Sequence, residues 1–139
     1  MAANTTPIFI LSANIAIATI AAANTASDGS GTLITLVTAG ADGTRVDSVR
    51  FRNSQLALAA SSNMVHRIFL TNDSGGSPTL IGEVATAAAT RSASAVGASS
   101  IFTFDQPIIM KSGQLLKVIQ SVYAGVQDRF DAYAYAGNF

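Results

Sequence analysis

The sequence predicts an all-β chain: an antiparallel β-sandwich, jelly-roll-like, of about eight strands, preceded by an N-terminal extended arm. Three observations predict it. Short runs rich in Val, Ile, Thr and Phe recur along the chain, separated by turns of Gly, Asn, Asp and Ser. Several runs alternate in parity, the period of a strand with one face buried. No stretch carries a long apolar stripe at helical spacing. Residues 1–11 read as the arm and 12–139 as a single β-sandwich domain. A chain of this size buries roughly two-thirds of its unfolded surface, so it folds without a metal or a disulfide.

The elements follow in order. Met1 to Thr6 is small and polar and reads as a flexible start. Pro7, Ile8, Phe9, Ile10 and Leu11 form a short apolar extended segment, a first strand or an arm that docks elsewhere. Asn14 to Ala22 sets isoleucines among Ala and Thr; alanine permits a helix, but the density of Ile and Thr favours an edge-like strand. Asn24 to Gly31 is a loop.

Gly31 to Arg52 is the clearest stretch. Leu33, Thr35 and Val37 alternate with Ile34, Leu36 and Thr38. Gly40 and Gly43 then supply a turn, and a second β-rich run begins at Arg45. The pattern predicts a hairpin. A parity change between Val46 and Val49 predicts a bulge. Val49 and Phe51 share one face. Arg50 and Arg52 share the other, as solvated edge charges or as partner contacts.

Asn53 to Asn63 is a short helical turn or a loop. In Met64 to Leu70, the residues Met64, His66, Ile68 and Leu70 share a side. The turn Asn72 to Gly76 and the run Thr79 to Thr86 after Pro78 make this a second hairpin. Ala87 to Ser100 is a small-residue surface loop. Ile101 to Phe104 is a short strand, followed by Asp105-Gln106-Pro107. Lys111-Ser112-Gly113 turns into Leu115 to Val122. Val126 to Ala136 is the last strand. There Arg129, Asp131, Tyr133 and Tyr135 share one face, and Phe130, Ala132 and Ala134 point inward.

Composition narrows the function classes. The chain has no cysteine, which excludes disulfides, thiolate metal sites and cysteine nucleophiles. Eight basic residues balance eight acidic ones, without the basic excess that neutralises nucleic-acid phosphates. Only 12% of residues are charged, about half the usual globular fraction. Either much of the surface is covered in an assembly, or Ser, Thr and Asn keep it polar. No Lys or Arg precedes Arg45, so the basic start of a signal peptide is missing. Ser12, Asn14 and Thr19 break the apolar run a membrane helix needs.

Catalytic chemistry finds no support in the residues. His66 is the only histidine, and no nucleophile-elbow motif accompanies it; its place among Met64, Ile68 and Leu70 points to packing. A histidine metal site would have only carboxylates to complete it. Asp28, Asp42 and Asp73 sit in glycine-containing turns and read as turn stabilisers. Tyr133 and Tyr135 read as packing residues, with sugar or protein binding as the other option. No catalytic, cofactor or metal residue is assigned.

The start MAANTTPIF, the stretch TASDGSGTLITLVTAGADGTRVDSVRFR and the later HRIFLTND resemble small structural proteins encoded beside head genes in tailed bacteriophages: decoration, cement or head-auxiliary proteins. The resemblance runs through most of the chain. It implies a non-enzymatic β-sandwich subunit, commonly a homotrimer, on the outer surface of the virion capsid. The partner it implies is the major capsid protein, with neither nucleic acid nor membrane, and it brings no diagnostic binding motif. The candidate contacts are therefore residues singled out above: the arm Pro7, Ile8, Phe9, Ile10 and Leu11, which can add a strand to an exposed edge, and Arg50 with Arg52. The alternative is a receptor- or carbohydrate-binding module of a phage tail or fibre, using the 87–100 loop and the two tyrosines.

Overall fold

The computed structural model describes residues 10–55, 59–72 and 76–139. These form eight strands: β1 (Ser12–Ile20), β2 (Ile34–Thr38), β3 (Thr44–Asn53), β4 (Met64–Thr71), β5 (Pro78–Thr86), β6 (Ser99–Met110), β7 (Leu115–Gln120) and β8 (Phe130–Asn138). They make two antiparallel four-stranded sheets. The first has the order β1-β8-β3-β6 and the second β2-β7-β4-β5. Four pairings are nested: β4 with β5, β3 with β6, β2 with β7 and β1 with β8.

One apolar core joins the sheets. Val46, Val49, Phe51, Phe130, Ala132 and Ala134 enter it from the first sheet, and Leu36, Met64, Ile68, Leu116 and Val118 from the second. Parity reads as the sequence predicts in β4, where Met64, His66 and Ile68 are buried, and in β8, where Phe130, Ala132 and Ala134 are. The predicted bulge in β3 is present as a register shift between Val46 and Ser48. The β4–β5 hairpin is also present, although Asp73 in its turn lies outside the described residues.

Three expectations are corrected. β2 and β3 are not a hairpin: β2 pairs with β7, and β3 with β6 and β8. The turn between them carries the chain from one sheet to the other. Its geometry still depends on Gly43, whose φ is +104° and whose Cβ would lie 2.9 Å from the Met110 carbonyl oxygen. Thr44 locks the corner, its hydroxyl accepting from Gly40 N (2.9 Å) and donating to Asn138 Oδ1 (2.7 Å). Second, β6 does not stop at Phe104 but runs through Pro107 to Met110. It is an edge strand, and its pairing with β3 jumps from Thr103 to Ile108, so Pro107 falls where no ladder hydrogen bond is needed. Third, β8 begins at Phe130, after a 3₁₀ turn at Val126–Asp128.

The outer faces of the two sheets differ. On the second, the connection from β1 to β2 lies across the strands: Asn24 N donates to Gln120 O (2.9 Å), and Arg67 Nη1 donates to Thr25 O (3.0 Å). Asn24 folds this connection by donating to Ser30 O and Thr32 O (3.0 Å each). Phe69 and Ile119 are buried yet stand outside the main core cluster, on the face this connection crosses. Among the described residues, no segment crosses the outer face of the first sheet in this way.

Candidate functional site

Sheet register lays out the bare face of the first sheet. Reading across β1, β8, β3 and β6, one row is Ile15, Tyr135, Ser48 and Thr103. The next is Ile17, Tyr133, Arg50 and Ile101, and the third is Thr19, Asp131, Arg52 and Ser99. Ile15 is 59% exposed, Ile17 60%, Ile101 53% and Tyr135 39%. Three large aliphatic side chains and a tyrosine on one sheet face are an unpaid contact with water of the kind that marks an interaction surface.

The face inverts the usual size pattern. In β1 the inward residues are Asn14, Ala16 and Ala18, and the isoleucines 15 and 17 point out. In β8 the inward residues are alanines and the tyrosines point out. Large inner groups fill the space that the alanines leave, chiefly Phe130 at the start of β8, Phe51 of β3 and His66 of β4. The His66 ring stacks on Phe51 (4.2 Å between centroids, 13° between planes) and tilts against Phe130 at 4.8 Å.

Charge on the face is mixed. Arg45 is tied to Asp47 through Nη2 and Oδ1 at 2.7 Å, and Asp131 Oδ1 accepts the Thr19 hydroxyl at 2.7 Å. Arg50 and Arg52 are exposed and form no ion pair with the described residues. They are not edge charges: β3 lies between β8 and β6, so the edge-protection reading is corrected. Two free guanidiniums beside tyrosines and isoleucines have the composition of an interface centre, where Arg and Tyr are enriched and Lys is depleted. Tyr133 and Tyr135 are outer-face residues, which corrects the packing reading.

Of the arm, Pro7, Ile8 and Phe9 lie outside the described residues. Leu11 N donates to Asn138 O at 2.9 Å. Ile10 lies over Gly137, where a Cβ would collide with its side chain. Gly137 has the outward parity of Tyr133 and Tyr135, so the arm begins on the same face that bears the two arginines. Sequence reading missed Ile15, Ile17 and Ile101 as site residues. The inversion in Ala-Asn-Ile-Ala-Ile-Ala, with small residues alternating against large ones and no charge, was the available signal.

Arg52 also lines a shallow cavity of about 290 Å³ with Arg91 and residues 92–96 of the β5–β6 connection. His66 lies away from these features. It is fully buried, and burial pushes its pKa down to about 3, so the ring is neutral. Its Nδ1 is 2.9 Å from the Thr86 hydroxyl, and Nε2 has no partner among the described residues. Asp28 behaves as a turn stabiliser: its Oδ1 accepts Ser30 N at 2.9 Å, and its carboxyl is held below the usual carboxylate range by Ser30. Among the described residues, no three His, Asp or Glu side chains group as a metal site.

The chain matches no protein-family model, no curated protein and no solved structure.

Proposed function

We propose that this chain is a non-enzymatic structural subunit that binds the outer surface of an assembled phage capsid and stabilises it, with the major capsid protein as partner. The observation that carries the reading is the bare outer face of the first sheet, where Arg50 and Arg52 stand among exposed Ile and Tyr side chains. The sequence resemblance to capsid decoration proteins supplies the partner class, and it implies a homotrimer. The nested strand pairing supports a jelly-roll sandwich, because a long antiparallel hairpin rolled into two Greek keys pairs its strands in this order. Many copies at symmetry-related capsid sites would raise avidity without strong single contacts.

Two variants test the reading by co-sedimentation with purified capsids. Arg50→Glu/Arg52→Glu reverses the two cations of the face that form no ion pair with the described residues. It is expected to weaken capsid binding at least tenfold while the thermal transition moves little, since exposed surface substitutions change stability by under about 0.5 kcal/mol. Deletion of residues 1–11 is expected to abolish binding while leaving the fold intact. Unchanged co-sedimentation of both variants would rule out this face and this arm.

A second reading, a receptor- or glycan-binding module on a tail or fibre, has one observation in its favour: the Arg52–Arg91 cavity is built from the loop this reading uses. Antibody-gold labelling of intact virions separates the two, with label on the head for the first and on the tail for the second.

A further inference from the structure

We infer that two copies of this chain pair edge to edge through β1, antiparallel about a two-fold axis at Ala16, so that their first sheets become one eight-stranded sheet. Among the described residues the sheet order leaves four edge strands: β1 and β6 in the first sheet, β2 and β5 in the second. Three of them are guarded. β6 carries Asp105, Pro107 and the jump in register against β3. β2 is only five residues long and its register shifts between Thr35 and Val37. β5 opens on Pro78, carries Glu83 and is opposite a register shift between Ile68 and Phe69. Short length, proline, charge and bulges are the devices that keep edges from pairing.

β1 has none of these. It runs nine residues, with no proline and no charged side chain, in unbroken register with β8 from Ser12 opposite Asn138 to Ile20 opposite Phe130. Along its free side, alternate residues direct their backbone N–H and C=O away from β8. That row of donors and acceptors fits another extended strand.

The sequence of β1 favours a second copy as that strand. Around Ala16 the pattern is nearly palindromic: Ile15 and Ile17 flank it, then Asn14 and Ala18, then Ala13 and Thr19. In the two-fold arrangement Ile15 stands opposite Ile17 of the second copy, and Ile17 opposite its Ile15. Four isoleucines, each more than half exposed in the single chain, then lie side by side on the outer face. The inward row sets Asn14 against Ala18 of the second copy. No charge meets a like charge, because the strand has none.

The pairing stands independently of the capsid reading, but it bears on it. The outer face from Ala13 to Thr19 across four strands measures on the order of 450 Å² by strand spacing and rise. Specific interfaces use about 800 Å² per partner. Two coplanar faces double the area that one face offers a partner. The symmetry is two-fold, whereas the family resemblance implies three copies, so the mass of the free protein discriminates between them.

The test is sedimentation equilibrium of the full chain at micromolar concentration with no capsid present. The expected mass is twice that of the 14.2 kDa chain. Ile15→Lys/Ile17→Lys sets lysine opposite lysine at both pairs, which destabilises a directly opposed pair, and should give single chains. Ile15→Lys/Ile17→Glu sets lysine opposite glutamate at both pairs and should restore the double mass, with an equal number of introduced charges as its own control for folding. A wild-type mass of one or three chains, persistence of the pair in the double-lysine variant, or failure of the lysine–glutamate variant to restore it would each overturn the inference. Loss of capsid binding with the pair intact would instead count against the proposed function alone.

Discussion

Asp128→Ala is expected to lower folding stability by about 3 kcal/mol, read as a fall in the urea midpoint with the slope unchanged. Asp128 is fully buried in the 3₁₀ turn before β8. Its Oδ1 accepts Ser62 N at 2.6 Å, and its Oδ2 accepts the Ser62 hydroxyl at 2.9 Å and Ala124 N at 2.8 Å. One carboxyl thus joins the segment entering β4 to the segment entering β8. Gln120 at the end of β7 reinforces the joint by donating from Nε2 to Asp128 O (2.8 Å) and Val122 O (2.9 Å). Alanine would leave two backbone amides and a hydroxyl, all part-buried in these bonds, without their acceptor, and an unsatisfied group costs about 1–3 kcal/mol where water cannot reach it. Ser62→Ala removes only one of the three bonds together with its donor, so its loss should stay near 1 kcal/mol. A midpoint for Asp128→Ala within error of that for Ser62→Ala would show that water replaces the lost acceptor and that the joint contributes little.

This joint also marks where sequence reading stops. Local chemistry is legible from local residues: the parity of β8, the bulge at Val46 and the turn at Gly43 all follow from residue size, polarity and backbone freedom. Which strand pairs with which is a different matter. The turn at Gly40–Gly43 reverses the chain equally well in a hairpin and at a corner between sheets, and nothing near it says that β2 will meet β7. Nothing near Pro107 says that the strand read over Ile101 to Phe104 runs on through it; only the edge position of β6 makes a proline harmless there. The polar joint sets Ser62 against the stretch from Gln120 to Asp128, more than fifty residues further along the chain. Parity likewise put Tyr133, Tyr135, Arg50 and Arg52 on faces without saying that the faces were the same one. Their meeting depends on β8 lying beside β3, and that pairing gives the outer face its arginines as well as its aromatics.

The sheets that hold this face in place should weaken in mild acid through His66. Its pKa is pushed down to about 3 by burial, against an ordinary value of 6.5. Between those two values the unfolded chain binds a proton at His66 that the folded chain does not. Stability therefore rises with pH across the window from 3 to 6.5 and is level in this respect above it. The full loss on acidification approaches roughly 5 kcal/mol, comparable with the total stability of a small domain. Protonation would place a cation between Phe51 and Phe130, where the described residues offer the Thr86 hydroxyl near Nδ1 and no partner at Nε2. His66→Phe keeps an aromatic ring in the stack and removes the titrating group. Thr86 keeps its bond to Ser100, at 2.5 Å. The wild type should lose midpoint steadily from pH 6.5 to 4 in urea titrations, and the variant should be distinctly flatter over the same range. Subtracting one profile from the other isolates His66 from the carboxylates, which titrate in both. Parallel profiles would mean that the folded protein admits the proton at little cost, and the ring would then have to sit in a more solvated place than the Phe51–Phe130 stack provides.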